Sequence, residues 1–309
     1  MNIGLDLMGG DFAPNEAIKG LNLFLQENNS VQVTCFGTSD ACNQLNSNNV
    51  NKVICNSVIT YHEHPTKAFK EKQDSSIAVG FQYLATNKID AFISAGNTGA
   101  MLVGSMFSLK SIPGVLRPTI GTIIPKENGT VGILADVGLN ADCKPEQLSQ
   151  FATLASIYAK EILNIPQPKT GLLNIGEEEG KGNTLAQTAF NLLKENNQIA
   201  FIGNIEGRDL FNDKADVMIC DGFTGNIVLK MAESFYEIAH KRKFANDEFI
   251  SRFHYENYGG TPILGIAKPV IIGHGISTAK AFKNMLHLAA KMLATNVCSI
   301  IENKFATTQ

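Results

Sequence analysis

Residues 131–162 read VGILADVGLNADCKPEQLSQFATLASIYAKEI. The first five are apolar throughout, which suits a strand buried on both faces. After Pro145 the period changes. Leu148, Phe151, Ala155, Tyr158 and Ile162 recur every three or four residues and make one helical stripe. Proline suits the first turn of that helix, where an N–H would have no partner anyway. The same alternation recurs elsewhere, with strand-like runs at 3–6, 31–37, 91–94, 171–175, 199–203 and 217–220. The stretch Asp74-Ser75-Ser76 offers a cap for a helix through Phe81 and Leu84, and Asn183 or Thr184 offers one for a helix through Leu185 and Leu193. Strands alternating with helices predict an α/β chain with an open, mostly parallel sheet covered by helices.

Composition narrows the class. Hydrophobic residues make up 44% of the 309 residues and charged residues 18%, an ordinary soluble profile with material for a sizeable core. A formal net charge of −3 argues against a nucleic-acid partner. Arginine occurs at Arg117, Arg208, Arg242 and Arg252, too scattered to grip a polyanion through bidentate forks. The six cysteines show no CxxC pair or zinc spacing and read as reduced thiols of a cytosolic protein. Neither a secretory leader nor a membrane-spanning apolar run is expected.

Ligands of open parallel sheets bind beyond the carboxyl ends of the strands. Four turns there carry glycine and amide side chains: SAGNTGAM (94–101), ADVGLNADCKP (135–145), GEEEGKGN (176–183) and DGFTGN (221–226). Glycine permits sharp turns, and the free N–H groups that open a helix can hold an anion. Asn97, Thr98, Gly99, Gly225 and Asn226 are therefore candidates to bind phosphate or an oxyanion, and Asp136 and Asn140 candidates to line the cleft. Lys181 stands alone between two glycines after three glutamates. A P-loop fails, because only Glu177, Glu178 and Glu179 separate Gly176 from Gly180-Lys181 and no Ser or Thr follows. An exposed cation serving a phosphate is the functional reading; a solvated lysine paired with those glutamates is the plain one. Asp221 is a candidate acid or base, or simply the residue that holds its turn. His274, in GHGIS, is a candidate cleft residue. Asp11 is expected to cap a helix starting at Pro14 or to shape the cleft. His62-Glu63-His64 lacks further ligands, so no metal site is expected.

Together these segments, with DLMGGDFAP, NIGEEEGKG, GNIEGRD and YGGTPILG, resemble in order and spacing the bacterial phosphate acyltransferase family. The resemblance runs from Ile3 to about Asn296. It implies a three-layer α/β/α sandwich similar to phosphate acetyltransferases and isocitrate or isopropylmalate dehydrogenases, with the whole chain, 1–309, as one catalytic unit. It also implies a homodimer that moves a fatty acyl group from acyl carrier protein to inorganic phosphate, without metal or redox cofactor. A membrane glycerol-3-phosphate acyltransferase uses the acyl phosphate. In relatives the segment before YGG projects and contacts the membrane. Here, at 240–259, it is short, which leaves at most a weak peripheral contact. Its Lys241, Arg242, Lys243 and Arg252 are the expected dock for an acidic carrier protein. The rival readings are a coenzyme A-dependent phosphate acetyl- or butyryltransferase, an NAD-dependent decarboxylating dehydrogenase, and a non-catalytic binder of carrier protein.

Overall fold

The computed structural model describes residues 1–244 and 247–306; Ala245 and Asn246, within the expected projecting segment, lie outside them. In chain order the strands are β1 (Asn2–Asp6), β2 (Gln32–Gly37), β3 (Val50–Ile54), β4 (Ala91–Ser94), β5 (Thr119–Pro125), β6 (Val131–Ala135), β7 (Lys169–Leu173), β8 (Ala200–Ile205), β9 (Val217–Ile219), β10 (Thr261–Leu264) and β11 (Val270–Ile272). The chain forms two compact units, one from Met1–Ser111 and Tyr255–Cys298, the other from Ile112–His254 and Ser299–Gln309.

In the first unit the strands run β3-β2-β1-β4-β11-β10. All neighbours are parallel except β10, which is antiparallel to β11. Phe92 of β4 packs edge-to-face on Phe81 at 5.2 Å and on Phe36 at 5.8 Å. The helix Ser76–Ala85 sits on that face. A side chain at Gly80 would strike the Phe92 ring, so glycine lets the helix close on the strand. Helices Asn15–Glu27 and Ala279–Ala294 pack on each other, with Gly20 against Phe282, and cover the other face. Ser75 caps the helix Ser76–Ala85 by accepting from the Ala78 amide at 3.3 Å, a contact worth about 1 kcal/mol. Asp11 is not a helix cap. The helix starts after Pro14, and the Asp11 amide donates instead to the Gly275 carbonyl at 2.7 Å.

The second unit has the order β5-β6-β9-β7-β8. β5 and β6 form an antiparallel pair, and the rest is parallel. Ala135 of β6 pairs with Ile219 of β9, which pairs with Leu172 of β7. The three strands therefore end level, and the turns that follow them share one edge. The helix Pro145–Glu161 buries Phe151, Ala155 and Tyr158 completely or nearly so, as its stripe predicts, and packs on Thr184–Glu195. Among the described residues no helix is long and apolar enough to cross a membrane.

Candidate functional site

In the first unit, the exit of β4 is built around a buried carboxylate. Asp6 accepts from the Ser94 hydroxyl at 2.6 Å and from the Met8 amide at 2.9 Å, and Ser94 in turn accepts from the Gly96 amide at 2.9 Å. Burial pushes the Asp6 carboxyl upward, and these donors only partly oppose it. Asn97 caps the helix Thr98–Ser108 through its oxygen, which accepts from the Ala100 amide at 2.9 Å. Its nitrogen donates to the carbonyls of Thr60 and Glu63. The Asn97 side chain is thus spent on structure, and an anion at this turn would meet the opening amides of Thr98 and Gly99 instead. Gly99 is glycine for a packing reason, because a Cβ there would lie 2.3 Å from Pro65. His274 is half-buried with its ring 5.0 Å from that of Tyr255. Glu63, in the His-Glu-His triplet, is bound by Lys72 and the Thr60 amide, which hold its carboxyl down at about 2.

In the second unit, Asp136 follows β6 and is fully buried. Its oxygens accept from four donors: the amides of Ile120 (3.1 Å), Leu139 (3.3 Å) and Asn140 (2.6 Å), and the Asn140 side chain (2.8 Å). Asn140 also donates to the Pro118 carbonyl at 2.9 Å. Expected as cleft-lining, both residues instead lie under the surface and brace the loop.

On this brace the helix Gly222–Lys241 begins. A Cβ at Gly225 would lie 1.8 Å from the Asp136 carbonyl oxygen, and one at Gly222 would lie 2.7 Å from that of Asn140. Glycine is required here for close approach. The Gly225 amide itself donates to the Asp221 carbonyl at 3.0 Å within the helix, so it is not the free donor expected. Asp221 caps this helix. One oxygen accepts from the Thr224 amide at 2.9 Å, the other from the Thr224 hydroxyl at 2.8 Å. The turn-holding reading of Asp221 is therefore realised, and its half-buried side chain also borders a cavity. Asn226 is exposed and lies near Gly138. Cys220 and Cys143 lie in the same region. Burial, reinforced by nearby carboxylates, pushes both thiols up, Cys143 to about 11, so both are neutral.

The loop after β7 sorts its charges. Glu177 pairs with Lys214 at 2.8 Å and Arg208 at 3.5 Å, and Glu179 pairs with Lys194 at 2.8 Å. Among the described residues Lys181 pairs only with Glu178, at 3.9 Å, and its side chain is 48% exposed. Its stem crosses Gly176, where a Cβ would press on it. Lysines from other segments neutralise Glu177 and Glu179 and leave Lys181 only loosely paired with Glu178. Sequence alone suggested neither Lys214 nor Lys194. Gly182, Asn183 and Asp221 border the same cavity.

The basic segment divides. Lys241, Arg242 and Lys243 are exposed at the end of the long helix, with Lys241 3.7 Å from Glu237. Arg252 does not join them: its guanidinium donates to the Lys126 and Thr130 carbonyls and ties its segment to the β5–β6 hairpin. Phe249 and Phe253 pack on Phe211 at 6.3 and 5.4 Å.

The fold is that of the phosphotransacetylases. A phosphotransacetylase from Streptococcus pyogenes superposes with a TM-score of 0.69 at 16% identity, covering 95% of this chain and 94% of that one. Sequence takes the assignment further. The family described as "Fatty acid synthesis protein" matches residues 1–300. A phosphate acyltransferase from Dictyoglomus turgidum is 42% identical over 96% of this chain and 95% of its own. One from Halothermothrix orenii is 39% identical over 98% of each. The chain belongs to the phosphate acyltransferase family.

Proposed function

We propose that the protein transfers a fatty acyl group from acyl carrier protein thioester to inorganic phosphate, supplying acyl phosphate for phospholipid synthesis. A phosphate oxygen attacks the thioester carbonyl. The tetrahedral oxyanion collapses, the C–S bond breaks, and the thiolate takes up a proton. Holding the anion next to the electrophile supplies much of the acceleration. The observation that carries this reading is Lys181, half-exposed and paired only loosely with Glu178, in a loop where Glu177 and Glu179 are matched by lysines from elsewhere. It offsets the phosphate charge. The opening amides of Thr98 and Gly99 and the side chain of Asn226 are further candidates for phosphate or oxyanion, and His274 for the cleft. Asp221 is proposed to move the proton to the leaving sulfur while it caps its helix. The reaction as written needs no metal or redox cofactor, and both units are proposed to serve it as one catalytic entity.

Acyl carrier protein is the proposed donor, docked on Lys241, Arg242 and Lys243. The proposed homodimer is supported by an apolar stripe on the helix Gly222–Lys241: Phe223, Ile227, Met231, Phe235 and Ile238 are each 50% exposed or more. Sedimentation of the purified chain tests it. A cytoplasmic location is proposed, and a weak membrane contact is supported by Phe244, exposed beside the three basic residues. The product would pass to a membrane glycerol-3-phosphate acyltransferase.

The test of the function is donor competition. Acyl phosphate trapped with hydroxylamine should form from palmitoyl-acyl carrier protein with a higher kcat/KM than from palmitoyl-coenzyme A. A clear preference for short coenzyme A thioesters would make the protein a phosphate acetyl- or butyryltransferase instead.

A further inference from the structure

A cavity of about 360 Å³ opens in the second unit at the ends of β7 and β9. Leu172 and Cys220 form its base. Leu148 comes from the helix Pro145–Glu161, Leu185 and Ala186 come from Thr184–Glu195, and Leu173 comes from the strand. We propose that this cavity receives the acyl chain of the thioester, and that Leu185 and Ala186 set the chain length the enzyme prefers. The proposal rests on the acyltransferase reading and adds the substrate part that reading leaves unplaced.

Three observations carry it. The first is that most polar groups of the rim side chains are already engaged within the fold. Asn174 donates to the Lys181 carbonyl and to Asn204, each at 3.1 Å, and accepts from the Ile175 amide at 2.8 Å. Asn183 accepts from the Ala186 amide at 2.9 Å, and both Asp221 oxygens are taken by Thr224. A ligand rich in amides or hydroxyls would have to compete with these bonds, whereas a run of methylenes needs none. The Cys220 thiol, neutral and 3.6 Å from the Asp136 carbonyl, adds no charge. The second is size. The volume lies within the range of about 300–1,000 Å³ typical of small-molecule sites. It is more than twice the cavity of about 150 Å³ that suffices for benzene. The third is position. Asp221 and Gly182, the neighbour of Lys181, stand on the border, so a chain seated inside leaves its carbonyl beside the proposed phosphate site.

The experiment compares kcat/KM for palmitoyl- and hexanoyl-acyl carrier protein in the wild type, in Leu185→Phe and in Ala186→Leu. Leu185 and Ala186 are only partly buried, on the first turn of their helix, so both variants should fold. Each methylene excluded should cost about fourfold. The palmitoyl-to-hexanoyl ratio should therefore fall by about tenfold or more, with the KM for phosphate unchanged. A ratio within about twofold of wild type in both folded variants overturns the pocket assignment and leaves the acyltransferase reading standing. Wild-type protein that makes no acyl phosphate from either donor overturns both. A second measurement avoids variants: a palmitoyl thioester with a diazirine in its chain should cross-link to Leu148 or to residues 172–186. Cross-links confined to other segments overturn the assignment.

Discussion

The turns after β6 and β9 lie side by side, and each opens with an aspartate that it uses differently. Asp136 is wholly buried and receives four N–H donors from two segments of chain. Asp221 is half-buried, bonded only to Thr224 among the contacts described, and borders a cavity. The first aspartate fixes the platform on which the second is presented. The lesson is that a strand-end aspartate is structural in proportion to the donors that surround it, and chemistry is left to the one with few.

Lys181 provides the yardstick, because the largest effect is expected there. Lys181→Ala should lower kcat/KM for acyl phosphate formation by about 10²-fold or more. Its unfolding free energy should stay within about 0.5 kcal/mol, as for other exposed positions. Near-normal turnover at subsaturating phosphate would remove the lysine from the site.

The same substitution at the two aspartates then separates them. Asp221→Asn retains an oxygen for the Thr224 amide, and its nitrogen can donate to the Thr224 hydroxyl, so the cap survives. It should lower the rate by about 10²-fold, as loss of a general acid or base does. If stability falls and the residual rate follows the folded fraction, Asp221 is only a cap. Asp136→Asn is as conservative in shape, yet it turns an amide nitrogen toward donors it cannot accept from. It should cost about 2–4 kcal/mol of stability, measured by urea unfolding. A cost below about 1 kcal/mol would erase the distinction between the turns.

The smallest effect belongs to the basic surface. Charges at the rim of an interface act mainly on association rate and its salt dependence. Reversing Lys241 and Arg242 to Glu should raise the KM for acyl carrier protein thioester by roughly three- to tenfold and flatten its salt dependence. The KM for phosphate should not move. An unchanged carrier-protein KM would place the dock elsewhere.

Local features were legible in the sequence. Ser75 and Asn183 cap helices as their sequence suggests, because a cap is read within three residues of itself, whereas the capping role of Asn97, expected to bind an anion, emerges only from the structure. The strands around 91–94 and 131–135 were visible as apolar runs. β3, β5, β10 and β11 were not. β3 has no fully buried position to mark it, and β5 and β10 lie in antiparallel pairs, outside the strand–helix alternation that marks the parallel strands. The glycines looked like anion-binding turns, yet Gly99, Gly222 and Gly225 answer to Pro65, Asn140 and Asp136 across the chain. Arg252 looked like part of a basic cluster, but its partners, Lys126 and Thr130, lie more than 120 residues away. Such partners leave no mark on the neighbouring sequence. The exposure of Lys181 was suggested by its glycines, while its weak pairing depends on Lys194, Arg208 and Lys214.

The measurement that bears most directly on the central claim is transfer itself. The purified chain is incubated with palmitoyl-acyl carrier protein and labelled inorganic phosphate. Labelled palmitoyl phosphate should form in step with free carrier-protein thiol and saturate with phosphate. Release of thiol with no label in the lipid product, or no release at all from fully folded protein, would contradict that claim.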